Sequence, residues 1–390
     1  MRSSLRLAGP LLAALGCATP LPAPGRYPLA GTGQRACYGD VAEVDCARAG
    51  PFDGQDAQQG APALTYRDDG DGAVTDVVTG LTWARAQTAP VTFDEAVRGA
   101  ASFRAGGFSD WRLPTIHELF SLMDFRGQFG PSPETSRPFI DATAFDFAYG
   151  APGAGVGDRF IDVQVWSSSV YSRGTGPGLD ETVFGVNFAD GRIKGYPRVE
   201  PGSGGATPAR RLARYVRGPS FTSHGYVART DGVVVDASTG LEWQRDDDGV
   251  GRTWAAALAY CRDLTLGGQD DWVLPDVKQL YSLVDVSRVP AIDPLFGLTR
   301  PDAYAWSSTT LLDGPDDVAP AKAAYVAFGP ALGWLEVPPG SGQWRLLDIH
   351  GAGAMRAAPK RGDPTAFPRG FGPQGDDVRI EHQVRCVRRH

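Results

Sequence analysis

The sequence has no run of about 18 apolar residues, so nothing in it reads as a membrane-spanning helix. Histidine is scarce, at 5 in 390 residues, and His117, His224, His350, His382 and His390 fall at no metal-binding spacing. There is no Gly-x-Ser-x-Gly motif and no glycine-rich loop after a strand, so the usual serine-hydrolase and phosphate-binding signatures are missing. Basic charge is also short. The 38 Lys and Arg stand against 45 Asp and Glu, and a net charge of −7 argues against general nucleic-acid binding. What is abundant is glycine and proline, 50 and 31 residues, about a fifth of the chain. That stays below the roughly 25–30% of low-complexity chains. A hydrophobic content of 42% with 10% aromatics is enough for packed cores. The length predicts two or three domains at roughly 100–200 residues each.

Arg2 and Arg6 precede a short apolar stretch, Leu7 to Gly16, that ends at Cys17. This reads as a signal peptide over residues 1–16. Small residues before a Cys resemble the bacterial lipobox, although Ala14 stands where that pattern prefers Leu. The expectation is an exported chain lipid-anchored at Cys17, on the cell surface or the periplasmic face, with plain secretion as the alternative. A cytoplasmic extension would not account for a Cys at the end of the apolar run. Four cysteines then remain, and an even number in an exported chain suggests two disulfides.

One pattern occurs twice. Asp76-x-x-Thr79-Gly80-Leu81-x-Trp83-x-Arg85 corresponds to Asp236-x-x-Thr239-Gly240-Leu241-x-Trp243-x-Arg245. Thr92 to Asp124 aligns with Thr253 to Asp285 without a gap, Trp166-Ser167-Ser168 with Trp306-Ser307-Ser308, and Arg214-Tyr215-Val216-Arg217 with Arg385-Cys386-Val387-Arg388. A period of about 160 residues is too long for a solenoid and indicates a duplicated domain. Cys261 aligns with Ala100 and Cys386 with Tyr215, so both are missing from the first copy together. That predicts a Cys261–Cys386 bridge and, by elimination, Cys37–Cys46. The first copy is then expected to hold its fold by packing alone.

Within a copy, Asp-x-x-Thr-Gly-Leu-x-Trp reads as strand, tight turn, strand. Thr92 with Glu95 predicts the start of a helix reaching about Phe103, and Thr253 opens its counterpart. The Gly106-Gly107 and Gly267-Gly268 pairs are expected to end these helices. Thr115 with Glu118, and Asp276 with Gln279, open a second helix. Val183 to Phe188 and Ala324 to Phe328 read as alternating strands. A strand, two helices, then loops and strands is an α+β arrangement. The domains divide as a 17–63 tether with a small disulfide loop, then 64–217 and 218–390.

This motif set resembles the Lcl C-terminal domain family, found at the end of a collagen-like bacterial adhesin. The family pattern is visible in Thr253-Trp254 through Tyr260-Cys261, in Asp110-Trp111-Arg112-Leu113-Pro114 and in Arg385-Cys386-Val387-Arg388. Val273 departs from it, standing where the family has Arg. The resemblance implies a C-type-lectin-like fold in two tandem copies, each with two helices and a small, mostly antiparallel sheet. It also implies extracellular glycan or polysaccharide recognition and adhesion rather than enzymatic activity, with no cofactor. A lectin-like fold also serves formylglycine-generating enzymes, but those need cysteines that the bridges here would consume.

Several residues are candidates for ligand contact. Sugar sites use flat rings and planar polar groups in a shallow cleft. Trp334, Trp344 and Tyr325, with Tyr171 and Tyr196, lie in the variable loop halves, and are weighed against core packing. The shared Trp83, Trp111, Trp166, Trp243, Trp272 and Trp306 read as core. Arg210, Arg211 and Arg214 cluster, with Arg217, and could meet a polyanion such as the sulfated polysaccharide the family adhesin recognises; the opposing reading is pairing with the motif carboxylates. The Asp68-Asp69-Gly70-Asp71-Gly72 run fails the EF-hand pattern and reads as a polar hairpin turn. The Glu-Pro-Asn and Trp-Asn-Asp signatures of calcium-dependent lectins are absent, so no metal site is predicted. His117 aligns with Lys278 and reads as a helix-surface residue. The alternatives to a glycan-binding lipoprotein are an envelope protein that packs against partner proteins and, more remotely, a carboxylate-based hydrolase.

Overall fold

The computed structural model describes residues 26–150, 159–200, 205–221, 224–316, 318–371 and 375–389. The signal peptide, Cys17 and His390 lie outside the described residues. The fold is α+β, with four short α-helices and several sheets among the described residues.

The chain opens with a miniature hairpin, β1 (Cys37–Tyr38) and β2 (Glu43–Val44), closed by the Cys37–Cys46 disulfide. This stretch was expected to be a tether, and its described part is instead built into the body. The Gln34 side-chain amide donates to the Phe125 and Thr310 carbonyls and accepts from the Thr310 N–H. Buried Asp56 accepts from the Thr309 hydroxyl at 2.6 Å. Phe52 packs on Trp254 with ring centroids 5.2 Å apart. Buried polar groups with such partners hold a segment in one place.

The first segment follows as β3 (Tyr66–Gly70), β4 (Ala73–Asp76), β5 (Thr82–Ala84), α1 (Phe93–Ser102), α2 (Ile116–Ser121), β6 (Gln128–Phe129), β7 (Gln164–Val170), β8 (Thr182–Asn187), β9 (Arg192–Pro197) and β10 (Val216–Arg217). The second has β11 (Tyr226–Ala228), β12 (Val233–Asp236), β13 (Leu241–Gln244), α3 (Trp254–Arg262), α4 (Val277–Ser282), β14 (Tyr304–Asp313), β15 (Lys322–Ala327), β16 (Leu332–Glu336), β17 (Trp344–Asp348), β18 (Met355–Pro359) and β19 (Val387–Arg389). Each segment has an antiparallel four-stranded sheet closed by its last strand, in the orders β10-β5-β4-β3 and β11-β12-β13-β19.

Local chemistry explains these elements. Gly80 and Gly240 take φ of 68° and 71°, and the turn that each closes is braced by Asp76 or Asp236 accepting backbone N–H groups. Thr92 and Thr115 cap α1 and α2 with reciprocal Glu95 and Glu118, and Asp276 with Gln279 caps α4. The glycine pairs do something other than end the helices. α1 stops at Ser102, and Gly106-Gly107 form a two-residue turn between bridged Ala105 and Phe108. Both glycines have positive φ, as do Gly267-Gly268 between Leu266 and Gln269, which is the geometry of a tight hairpin turn. All six shared tryptophans are buried.

A seven-stranded sheet, in the order β6-β14-β15-β18-β9-β8-β7, draws strands from both segments. Met355 of β18 pairs with Ile193 of β9, and β6 runs parallel to the end of β14. Strands β8 and β15 are buried along both faces apart from Lys322 rather than alternating in burial, because each lies between two strands with a helix packed against it. The helices also meet: Phe120 of α2 packs on Tyr281 of α4 at 4.8 Å, and buried Lys278 donates to the Ser121 and Gly31 carbonyls. One apolar core therefore runs through both segments.

Candidate functional site

The structure scatters the ligand candidates read from the sequence. Tyr325 is core, stacked on Tyr304 at 4.6 Å and on His382 at 4.9 Å. Tyr171 is a buried strut between segments; its hydroxyl donates to Asp348 and accepts from the Ala352 N–H. Arg214 is fully buried. Its guanidinium donates to the Ala84, Arg85 and Asp146 carbonyls and lies 5.0 Å from the Phe145 ring centre. Arg385 repeats that arrangement on the Gln244, Arg245 and Gly297 carbonyls and Phe296. Burial pushes both guanidinium pKa values down, to about 9 and about 10. Neither is placed to meet an external polyanion.

Arg210 and Arg211 pair with Glu95 and Glu200, at 3.0 and 3.3 Å. Arg217 and Arg388 pair with Asp110 and Asp271, at 2.7 and 2.6 Å. Such solvent-screened surface pairs add little to stability. Tyr196 is buried beside Arg211. Trp334 and Trp344 also come together: on the β16–β17 hairpin they occupy the two ends of one face, with Leu346 opposite Trp334. Trp344 is 37% exposed and stacks on Arg369. The acidic run at 68–72 is the β3–β4 hairpin, with Asp68 and Asp69 paired to Arg85 and Arg67.

A different place has the form of a binding site. A cleft of about 510 Å³ opens between the segments. The start of α2 supplies Thr115 and His117, the end of β7 supplies Ser169, and the loop after α4 supplies Asp285, Ser287 and Arg288. Tyr27, Phe221, His224 and Tyr226 form an aromatic wall. His224 stacks on Tyr226 with planes 4° apart and centroids at 4.9 Å, and lies 4.8 Å from Tyr27.

His224 is anchored from behind. Its Nδ1 lies 2.7 Å from Asp236 Oδ2 and 2.9 Å from Ser238 Oγ. Serine and aspartate thus share one ring nitrogen, whereas a Ser–His–Asp relay needs them on opposite nitrogens. The arrangement orients a ring; it does not activate a nucleophile. His117, expected on a helix surface, faces the α2–α4 contact 5.5 Å from Tyr281 and 5.5 Å from Tyr27. Burial, then the nearby His224, lowers its pKa to about 4, so it is neutral at pH 7. Asp285 is held below the ordinary carboxylate value: burial acts upward, but the Ser287 hydroxyl and N–H and the Arg288 charge outweigh it. Among the described residues no three His, Cys, Asp or Glu side chains converge as metal ligands.

The cleft therefore offers flat rings beside a charged carboxylate, a guanidinium and hydroxyls. That combination suits a polyhydroxylated ligand, whose C–H face packs on rings while its hydroxyls meet planar acceptors. Sequence reasoning missed it because Tyr27, His224 and Tyr226 lie outside the repeated motifs. The one signal available was His224-x-Tyr226, whose spacing of two puts both rings on one side of an extended segment leading into β11.

The family model for the Lcl C-terminal domain matches residues 72–204 and 232–335, more than half of the chain. The chain belongs to the Lcl C-terminal domain family. Membership places it with adhesin-like surface proteins. No curated protein and no solved structure matches it. The Lcl matches divide the cleft: Thr115, His117, Ser169 and Asp285 fall inside them, whereas the aromatic wall of Tyr27, Phe221, His224 and Tyr226 falls outside.

Proposed function

We propose that the chain is an exported bacterial lipoprotein, anchored through Cys17, whose two tandem lectin-like domains bind an extracellular glycan or polysaccharide without chemically altering it. The ligand sits in the cleft between the segments. The observation that carries this reading is the His224–Tyr226–Tyr27 ring wall facing Asp285, Ser287 and Arg288 across about 510 Å³. No helix of the described residues is long and apolar enough to cross a membrane.

The test is a glycan array and a sulfated-polysaccharide pull-down with the full mature chain, at low and moderate salt. Binding is expected, and Tyr226→Ala or His224→Ala should weaken it about tenfold or more, the scale of losing a stacked ring. No binding on either platform, or binding that both variants keep, would sink the cleft. A second reading, an envelope protein docked to protein partners, is favoured by exposed Trp344 and Leu346 on the β16–β17 hairpin. Crosslinking that captures a defined envelope protein and is lost in Trp344→Ser would support it.

A further inference from the structure

A second cavity, of about 170 Å³, lies where β9, β14 and β18 meet, and shares no residue with the cleft. Its charged lining is Arg159, Asp190, Arg192, Lys194, Asp313, Arg356 and Asp376. Most of these charges are matched. Arg192 pairs with Asp313 at 2.5 Å, and Lys322 joins the same carboxylate at 2.7 Å. Asp376 accepts from Arg356 and from His350. Arg159 at the rim is paired with Asp162.

Three groups are left over. Asp190 Oδ1 and Arg192 Nε are buried without a hydrogen-bond partner; their side chains are 12% and 9% exposed and approach each other only at 3.7 Å, between Asp190 Oδ2 and Arg192 Nη1. Lys194 Nζ makes no hydrogen bond among the described residues and rests 5.1 Å from the Tyr196 ring centre. With Lys194 protonated, five cations (Arg159, Arg192, Lys194, Lys322, Arg356) stand against four carboxylates (Asp162, Asp190, Asp313, Asp376), so one positive charge is in excess. Leaving buried polar groups unpaired is costly, so their clustering around a cavity points to an occupant.

The left-over groups define that occupant. The excess cation and the free Arg192 donor call for one anionic acceptor. The free Asp190 oxygen calls for a donor, which sulfate or chloride lacks, so either would be repelled. A neutral sugar would leave the excess charge in place. Tyr196, Phe129 and Phe371 add ring surface on the walls. The volume is several times the roughly 10–15 Å³ that one water needs and below the 300 Å³ of drug-sized pockets.

We propose that this cavity binds a small monoanionic polyhydroxy acid, its carboxylate on Lys194 and Arg192 Nε and a hydroxyl donating to Asp190. The acid is either the terminal uronic residue of a polymer or a free sugar acid. Bound there, it ties the first segment's β9 to the second segment's β14 and β18.

Burial, then the nearby Arg356, lowers the Lys194 pKa to about 7. The charged groups facing it are Arg356, Asp376, Asp190 and Arg159. A bound carboxylate favours the protonated ammonium, so affinity should fall as pH rises through about 7, by up to tenfold per unit above it.

The experiment is calorimetry and thermal unfolding of the full mature chain with D-gluconate, D-glucuronate, D-glucose, sulfate and a trigalacturonate, at pH 6 and pH 8. Gluconate or glucuronate should bind and raise the melting temperature, more at pH 6, while glucose and sulfate should not. Lys194→Met should lose at least tenfold in affinity and keep the ligand-free melting temperature. Should Lys194→Met misfold, Asp190→Asn serves in its place, and should lose the preference for gluconate over acetate. Trigalacturonate binding would assign a polymer end, and binding of the monomers alone would assign a free acid; both fit the shared chemistry. An equal response to sulfate or glucose, no response to any acid, or unchanged affinity in Lys194→Met would overturn the proposal.

Discussion

The two segments solve the same problem with different chemistry. Each must hold its first helix against the strand that closes its four-stranded sheet. The second segment does so covalently, with Cys261 on α3 bonded to Cys386 just before β19. The first has Ala100 and Tyr215 at the corresponding places, and Tyr215 reaches across instead: its hydroxyl donates to the Ala96 carbonyl on α1 at 3.0 Å, and its ring lies 5.0 Å from Phe103. The expectation that the first segment relies on packing alone therefore needs correction. A second exchange occurs at the next helix. Arg112 and buried Glu118 form a two-pronged pair, both contacts at 2.7 Å, whereas Val273 and Gln279 stand at those places in the second segment. Both partners differ together, so neither segment carries a buried charge without its mate. The lesson is that the joints recur while the bonds that close them do not.

The largest test of that comparison removes the covalent joint. Cys261→Ala/Cys386→Ala should cost about 2–4 kcal/mol in urea unfolding, the usual range for a bridge closing a long loop. Hydrogen exchange should show the loss concentrated in α3 and β19, with α1 and β10 least affected. Equal deprotection of both segments would break the comparison and leave the shared core as the unit of stability.

The next test uses acid. Where the first segment has Arg211, bridged to Val91 and near the Trp166 ring, the second has His382, bridged to Arg252 and 3.9 Å from Trp306. Arginine carries its charge at any working pH; His382 is buried and neutral. Burial lowers its pKa to about 3, below the roughly 6.5 of the unfolded chain. Between those values the unfolded state binds the extra proton, so stability falls as pH drops from about 6.5 toward 3. At pH 4.5 the loss should reach about 2.5 kcal/mol. His382→Gln, which keeps a donor for the Arg379 carbonyl, should flatten that acid limb when its unfolding is compared with the parent chain from pH 7 to 4.5. An unchanged limb would remove His382 as the cause.

These contrasts also mark how far the sequence could be read. The capping pairs, the Thr-Gly-Leu turns and both disulfides were legible because each is a local or paired signature. The glycine pairs misled because helix-ending and hairpin glycines both need positive φ, and only the bridge from Ala105 to Phe108 tells them apart. Arg214 and Tyr325 looked like ligand contacts because residue type does not reveal burial. The seven-stranded sheet and both cavities depend on how the segments meet, and no motif spacing encodes that. His117 shows the same limit: its helical position was read correctly, and the partner helix that covers it was not.

The smallest expected effect is the most discriminating. Tyr215→Phe removes one hydroxyl from the first segment's joint and leaves the ring against Phe103. A net hydrogen bond is worth about 1 kcal/mol, and the Ala96 carbonyl sits on a helix where its other bonding is kept, so a loss of about 1 kcal/mol is expected. Tyr215→Ala would add the lost packing and blur the question. If the hydroxyl does the work of the disulfide, Tyr215→Phe should raise hydrogen exchange in α1 specifically. The same substitution should add its cost independently to that of Cys261→Ala/Cys386→Ala, since the two joints share no partner. A Tyr215→Phe chain with unchanged α1 protection would show that the ring alone closes the joint, and that the first segment does, after all, hold by packing.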